Sequence, residues 1–378
     1  MIKKFKQKWL FTPGPLVTSR KTKDAMLVDL GSRESDFIKV NQLVCNNIIK
    51  IIGIKDYVCV PIQGSGTFGI EAALSTVLSK KSKILILSNG AYGRRISNIC
   101  KKISKKFILL TFKEDEIFSI DKCEKLIKKD KQITHVAMVH CETSSGILNP
   151  LIDVGSLCKR YKKKLFVDAM STFGGIKIDF KKNNIDVLVS SPNKCLEGVP
   201  GFSFVITKKK SLINCSGNAN TLSLDIYDQW KYFQENGQWR FTPPTHSILA
   251  LYSSLQLLKK EGGISKRYKR YKKNYETLKN GMIKMGFTCF INKNFQSPII
   301  VSFNYPKSSR FHFNTFYKKL STIGYVIYPG QVTKKKTFRI GCIGDINPSV
   351  INSLLKAIKK ILFSLYFLKK YYLIMIST

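Results

Sequence analysis

The sequence is short of acid: 24 Asp and Glu stand against 64 Lys and Arg in 378 residues, and there are only four histidines. Its ten cysteines fall at irregular intervals with no C-x-x-C pair, so neither zinc spacing nor a compact disulfide framework is present and no metal is expected. A reducing cytoplasm is the expected home. The opening MIKKFKQKWLFTPGPL carries positive charge but lacks the continuous apolar run of a secretory signal, and reads as part of the mature chain. Near the C-terminus the apolar stretch from Ile361 to Leu368 stops at Lys369 and Lys370, too short to span a bilayer as a helix. A docked terminal helix is expected there, and no membrane association. No repeat of fixed period and no low-complexity linker interrupts the chain.

The shortage of acid leaves a formal net charge of +40, which raises the question of nucleic acid, since clustered cations release counterions from phosphate backbones. The distribution argues against it. The lysines come in short scattered groups such as Lys101-Lys102, Lys162-Lys163-Lys164 and Lys208-Lys209-Lys210, with no basic platform interleaved with aromatics and no zinc-finger or helix-turn-helix signature. A lysine-rich composition without nucleic-acid binding is the expectation.

What is present is a chain 44% hydrophobic, long enough to bury a large core and a smaller second one. From about Tyr57 to Thr207, short β-rich runs (YVCVPI, KILILS, KFILLTF, THVAMVH, KLFVDA, IDVLVSS) alternate with helical patterns, predicting an α/β fold with a mostly parallel sheet. GFSFVIT follows its predecessor too closely for a helical crossover and is expected as an antiparallel neighbour in the same sheet. ILALYSSLQLLKKEGG reads as a helix ended by glycine, and KRYKRYKKNYETLKNGMIKMG as a long amphipathic connection. SPIIVSF, the helix around FNTFYKKLSTIG, YVIYP, TFRIGCI and a last helix make a smaller α+β unit. The expected division is an N-terminal segment over 1–20, a large domain over 21–270, a small one over 271–368 and a tail over 369–378.

Three stretches carry chemistry. VPIQGSGTFGIEAALSTVL turns from strand to helix through Gly64, Ser65, Gly66 and Thr67, where small residues, hydroxyls and a helix N-terminus suit a phosphate, although a plain turn and cap fits equally well. It is not a P-loop, because no Gly-Lys-Ser/Thr follows. LFVDAMSTFGG sets Asp168 at the C-terminal end of a buried strand, where ligands sit in open α/β sheets and where a carboxylate calls for a cationic partner; the plainer reading makes it a cap. In IDVLVSSPNKCLEGVPG, Lys194 follows a buried strand and precedes a glycine-rich return, a setting that can lower a lysine pKa enough for imine chemistry, although a lone lysine after a strand is more often solvated.

The ordered set TPGP, GSGTF, NGAYGRR, CETSSGILNP, VDAMSTFGG, SSPNKCLEGVPG, QWRFTPPTH and FRIGCIGDI resembles the 2-aminoethylphosphonate:pyruvate transaminases, a family in the class V branch of the fold-type I enzymes that use pyridoxal 5′-phosphate (PLP). The likeness runs from about Thr12 to Ile346 and is most specific from Asp168 to Gly201 and from Gln238 to His246. It implies a fold-type I architecture, transfer of the amino group of 2-aminoethylphosphonate to pyruvate, and a homodimer. It assigns Lys194 to the Schiff base with PLP, Asp168 to the pyridine nitrogen, Thr143 to the neighbourhood of the phenolic oxygen and Ser65, Gly66 and Thr67 to the phosphate. Tyr92 would stack on the pyridine face, Thr242 or Thr245 would reach the phosphate of a neighbouring subunit, and Arg339 would grip an α-carboxylate by its bidentate fork. Arg33, Arg94 and Arg95 are further cations for the phosphonate, each equally able to be a surface or subunit-interface cation.

The sequence departs from the family pattern at Pro192, where a small residue is expected, and in its hydrophobic C-terminal extension. Alanine:glyoxylate and serine:pyruvate aminotransferases share the lysine and aspartate logic and form the alternative. A cysteine desulfurase would carry a histidine before the lysine, where this chain has Asn193, and its nucleophile on a mobile loop rather than at Cys195. A non-catalytic polycationic scaffold is disfavoured by the joint presence of Lys194, Asp168 and Arg339.

Overall fold

The computed structural model describes residues 6–328 and 334–375, with backbone only from 366 onward; Pro329, the last residue of the expected YVIYP strand, lies outside the described residues, as do the last three of the tail. The chain opens with β1 (Trp9–Phe11), α1 (Arg20–Asp24) and α2 (Ser35–Ile52), and then enters the alternating region. There β2 (Tyr57–Gln63), α3 (Gly66–Val77), β3 (Lys83–Ser88), α4 (Ala91–Lys102), β4 (Lys106–Thr111), α5 (Ile120–Lys129) and β5 (Ile133–Val139) follow one another. A small hairpin of β6 (Cys141–Glu142) and β7 (Ile147–Leu148) precedes α6 (Leu151–Arg160), β8 (Lys164–Asp168), β9 (Ile185–Ser190) and β10 (Phe202–Lys208).

The strands form a seven-stranded sheet in the order β2-β10-β9-β8-β5-β3-β4. β9, β8, β5, β3 and β4 pair in parallel, whereas β10 runs antiparallel to both β9 and β2, as its short approach from Lys194 requires. Alternate side chains of each strand enter opposite faces: Leu85 and Leu87 of β3 pack into one core with Val136, Met138 and Val167, and Ile84 and Ile86 into the other with Val139, Phe166 and Val189. Helices α2, α5 and α6 cover the first face, and α3 and α4 the second.

After α7 (Lys209–Ile213) and α8 (Ile226–Asn236), α9 (Thr245–Glu261) ends on Gly262, whose left-handed φ of 97° supplies the expected glycine cap. Gly263 begins α10 (Gly263–Lys284) directly. The C-terminal unit contains β11 (Ile300–Asn304), α11 (Phe313–Thr322), β12 (Tyr325–Ile327), β13 (Thr337–Gly341) and α12 (Pro348–Met375). β11 and β13 pair antiparallel around a phenylalanine-rich core of Phe287, Phe303, Phe311, Phe316 and Phe338. Ile358, Ile361 and Leu362 of α12 bury themselves in that core, so the terminal helix is docked there. Among the described residues no helix is long and apolar enough to cross a membrane. The sequence reading did not place β1, which pairs in parallel with β12 and returns the N-terminus to the C-terminal unit.

Candidate active site

Carboxyl ends of parallel strands collect at one rim of an open sheet, and the loops that follow them build the site. Here β2 delivers Ser65, Gly66 and Thr67, β5 leads into Cys141 and Thr143, β8 ends on Asp168, and the turn after β9 carries Lys194. Together with Tyr92 and Arg95 from α4 these residues line one cavity of about 230 Å³.

At one end of the cavity, Ser65 is the N-cap of α3 but its side chain makes no capping bond, so the first-turn amides of Gly66 and Thr67 stay available to an anion. Arg95 Nη1 donates to Thr67 Oγ1 at 3.2 Å, and its guanidinium carbon lies 4.8 Å from the centre of the Tyr92 ring. A phosphate would meet amides, hydroxyls and a cation there. At the other end Asp168, 7% exposed, accepts the Met170 amide at 2.9 Å. Burial raises its pKa to about 6, with Glu142 adding to the rise and the Met170 amide, Arg95 and Lys194 opposing it. The carboxylate is thus ready for a cationic neighbour.

Lys194 lies in a tight turn whose ends are joined by the Gly198 amide donating to the Pro192 carbonyl at 2.9 Å. Pro192 contributes the acceptor of that bond, so its missing N–H costs the turn nothing. Burial pulls the Lys194 amine down to about 8, against the raising influence of Asp168. Its Nζ donates to the carbonyl of Gly14 at 3.0 Å. Gly14 has φ 113°, and a β-carbon there would stand 2.5 Å from both Lys194 Cδ and the Asn193 carbonyl oxygen. TPGP, one of the motifs that carry the family resemblance, gives no sign in the sequence of this contact between Gly14 and Lys194. Cys195, by contrast, is fully buried, donates its thiol to the Ser171 carbonyl and has its pKa pushed up by burial. A thiol so placed is no nucleophile toward the cavity.

Glu142 is a further residue that sequence reasoning passed over. It is 0% exposed. One carboxylate oxygen accepts the amides of Tyr92 and Gly93, and the other accepts the amide and hydroxyl of Ser144. Burial raises the pKa of Glu142, the Ser144 hydroxyl and the amides of Gly93, Ser144 and Tyr92 oppose the rise, and through those bonds it ties the start of α4 to the strand end before Thr143. Arg339, on β13, reaches the same place from the C-terminal unit: Nη1 donates to the Thr143 carbonyl at 2.9 Å, and the guanidinium lies 4.4 Å from the centre of the Tyr328 ring.

The structure does not bring every expected residue into this cavity: Arg339 is buried beside Thr143, behind the lining rather than in it. Thr242 and Arg33 share a separate hollow with Tyr232 and Arg240, Thr245 opens α9 beside His246, and Arg94 is exposed outside the lining. Among the described residues no group of His, Cys, Asp and Glu could hold a metal ion.

The family described as Aminotransferase class-V matches residues 28–327. The 2-aminoethylphosphonate--pyruvate transaminase 1 of Cupriavidus pinatubonensis is 46% identical over 350 residues, covering 92% of this chain and 93% of that protein. The 2-aminoethylphosphonate--pyruvate transaminase of Pseudomonas aeruginosa is 44% identical, covering 92% and 94%. Among solved structures, the pyridoxamine-pyruvate aminotransferase of Mesorhizobium loti superposes with a TM-score of 0.86 at 22% identity, covering 96% of this chain and 94% of its own. The alanine--glyoxylate aminotransferase of Nostoc sp. gives 0.87 at 21%, covering 96% and 97%. These likenesses carry the fold, that of the fold-type I aminotransferases.

Proposed function

This chain belongs to the class-V aminotransferase family, and from that premise we propose that it transfers the amino group of 2-aminoethylphosphonate to pyruvate with PLP as cofactor, leaving phosphonoacetaldehyde and L-alanine. The observation that carries this reading is the single cavity in which an uncapped helix start, a buried carboxylate and a lysine of lowered pKa converge. Relatives of that activity match over nine-tenths of the chain, whereas the alanine:glyoxylate alternative is supported only at the level of fold.

The donor set fits PLP group by group. Ser65, Gly66 and Thr67 would hold the phosphate, Tyr92 the ring face, Thr143 the phenolic oxygen, Asp168 the ring nitrogen and Lys194 the aldehyde carbon. When bound, the cofactor supplies an electron sink for the carbanion. Lys194 supplies the amine. With a pKa of about 8, about a tenth of it is neutral at pH 7, against roughly one part in three thousand for an ordinary lysine. Its Nζ would take a proton from the substrate carbon and return it. Gly14's carbonyl accepts from that amine, and Asp168 would pair with the ring nitrogen in its protonated form. Arg339 would be the fork for the pyruvate carboxylate and a contact usable by the phosphonate as well, and of Arg33, Arg94 and Arg95 only Arg95 lines the cavity. Thr242 or Thr245, both outside this chain's own cavity, would reach the phosphate site of a second copy, which supports a homodimer; the scattered lysines and the short C-terminal apolar run are the grounds for expecting no nucleic-acid or membrane partner.

Purified protein supplied with PLP, 2-aminoethylphosphonate and pyruvate should form phosphonoacetaldehyde and alanine in equal amounts, and Lys194→Ala should lose on the order of 10²–10⁴ of that rate. Turnover of alanine with glyoxylate, or of serine with pyruvate, in the absence of any reaction with the phosphonate would put the alternative in its place.

A further inference from the structure

The chemistry above uses the face of the Lys194 turn that looks into the cavity. Behind it lies a partly buried ionic network, with Arg267 and Glu197 buried and Arg270 and Glu261 about a fifth exposed. Glu197, three residues on, adopts a left-handed φ of 61° that a β-carbon disfavours, and its carboxylate accepts Arg270 Nη2 at 2.7 Å and the Tyr271 hydroxyl at 2.5 Å. Arg267, 1% exposed, donates Nη1 to the carbonyl of Cys195 at 2.9 Å and Nε to Glu261 at 2.8 Å. Arg270 donates Nε to Glu261 at 2.8 Å and turns Nη1 the other way, to the Gly344 carbonyl at 2.5 Å and that of Ile346 at 3.3 Å. The Asn274 amide donates to the carbonyls of Cys342 and Ile346, both at 3.1 Å.

Arg267, Arg270, Tyr271 and Asn274 stand at i, i+3, i+4 and i+7 of α10, hence on one helix face. One end of this polar stripe grips the residue after Lys194. The other grips the turn that follows β13, the strand of Arg339. Two arginines balance two glutamates, yet an ionic cluster with Arg267 and Glu197 buried is a costly way to hold a helix, and apolar residues of similar volume would often serve stability as well or better. What the ions provide and an apolar stripe would not is attachment to particular carbonyls.

We propose that the α10 stripe is a positioning device that sets the spacing between the Lys194 amine and the Arg339 guanidinium, so that both reach one substrate at once. This rests on the reading that those two groups serve the same substrate. Arg267, Arg270, Tyr271, Asn274 and Glu197 are positioning residues, since they act through the two turns.

The test uses PLP-loaded protein and two mild variants, Arg270→Lys and Tyr271→Phe, each alone and combined with Arg339→Lys. Wild type is first compared with Lys194→Ala: a visible cofactor band in the former that is absent from the latter establishes the site, and a wild type without the band overturns the functional reading itself. Given the band, at least one stripe variant should keep its far-ultraviolet spectrum and bind PLP, but show an altered visible circular dichroism of the bound cofactor, which reports its placement. Its kcat/KM for pyruvate should fall about tenfold or more, as expected when a reacting group is displaced by a fraction of an ångström. Combined with Arg339→Lys, its loss should depart from the product of the single losses by about threefold or more, because both act on one spacing. Folded variants of both kinds with unchanged visible dichroism, whose losses simply multiply with that of Arg339→Lys, would reduce the stripe to a structural brace. If Arg270→Lys does not fold, Tyr271→Phe, which removes only a hydroxyl, carries the same test.

Discussion

Asp168 and Lys194 are displaced from their ordinary acidities in opposite chemical senses by the same cause, removal from water. For Asp168 the consequence for stability follows directly. Its folded pKa of about 6 lies above its reference value of 3.8, so between those values the folded chain binds more protons than the unfolded one, and stability falls as pH rises through that window. Above pH 6 the full deficit is present, about 2–3 kcal/mol for a shift of this size. Cofactor-free Asp168→Asn should therefore be more stable than wild type by about that amount at pH 7, and the difference should vanish below pH 4; urea unfolding at the two values checks it. PLP should narrow the gap by giving the carboxylate a cation. Equal stability at pH 7 would mean that the carboxylate is better solvated than its surroundings imply. The sequence made both residues legible because each follows a strongly apolar strand. It did not reveal Gly14 or Glu142, since Lys194 lies 180 residues from Gly14 and the α4 amides that Glu142 accepts lie 49 to 50 residues from it.

Among the elements, the N-terminal segment between β1 and α1 has the least obvious task. Nothing local to Thr12-Pro13-Gly14-Pro15 reveals that it passes against Lys194, because the contact depends on β1 pairing with β12 more than three hundred residues later. The alternating strands and helices were legible from period and length alone, and the antiparallel β10 from the shortness of its connection. The stripe on α10 was not, because a run such as Lys266-Arg267-Tyr268-Lys269-Arg270 reads as a solvated face until burial is known. Gly14→Ala tests the N-terminal segment, with Gly53→Ala as its control. Both glycines have left-handed φ values, 113° and 70°, but a β-carbon at Gly53 meets nothing within 4 Å, whereas at Gly14 it collides with Lys194. Each should lose about 1 kcal/mol or more of stability from backbone strain. Only Gly14→Ala should also lose transamination, on the order of 10²-fold, by moving the amine. Comparable activities in the two variants would leave the segment a structural strap.

At the scale of the whole molecule, the two cores of the sheet and the phenylalanine core of the C-terminal unit bring the ends of distant elements to one rim. Of the many cations behind the net charge of +40, Lys194 and Arg95 line the cavity beside Asp168, and Arg339 stands behind it at Thr143. The central claim is that this rim accepts an amine from a phosphonate and gives it to a keto acid, and its most direct test needs no steady state. Protein loaded with PLP is mixed with 2-aminoethylphosphonate alone, and the visible spectrum is followed as the cofactor takes up the amine. The account predicts loss of the visible band with release of one phosphonoacetaldehyde per bound cofactor, and return of the band when pyruvate is added. A band that 2-aminoethylphosphonate leaves unchanged, but that serine discharges and pyruvate restores, would contradict it.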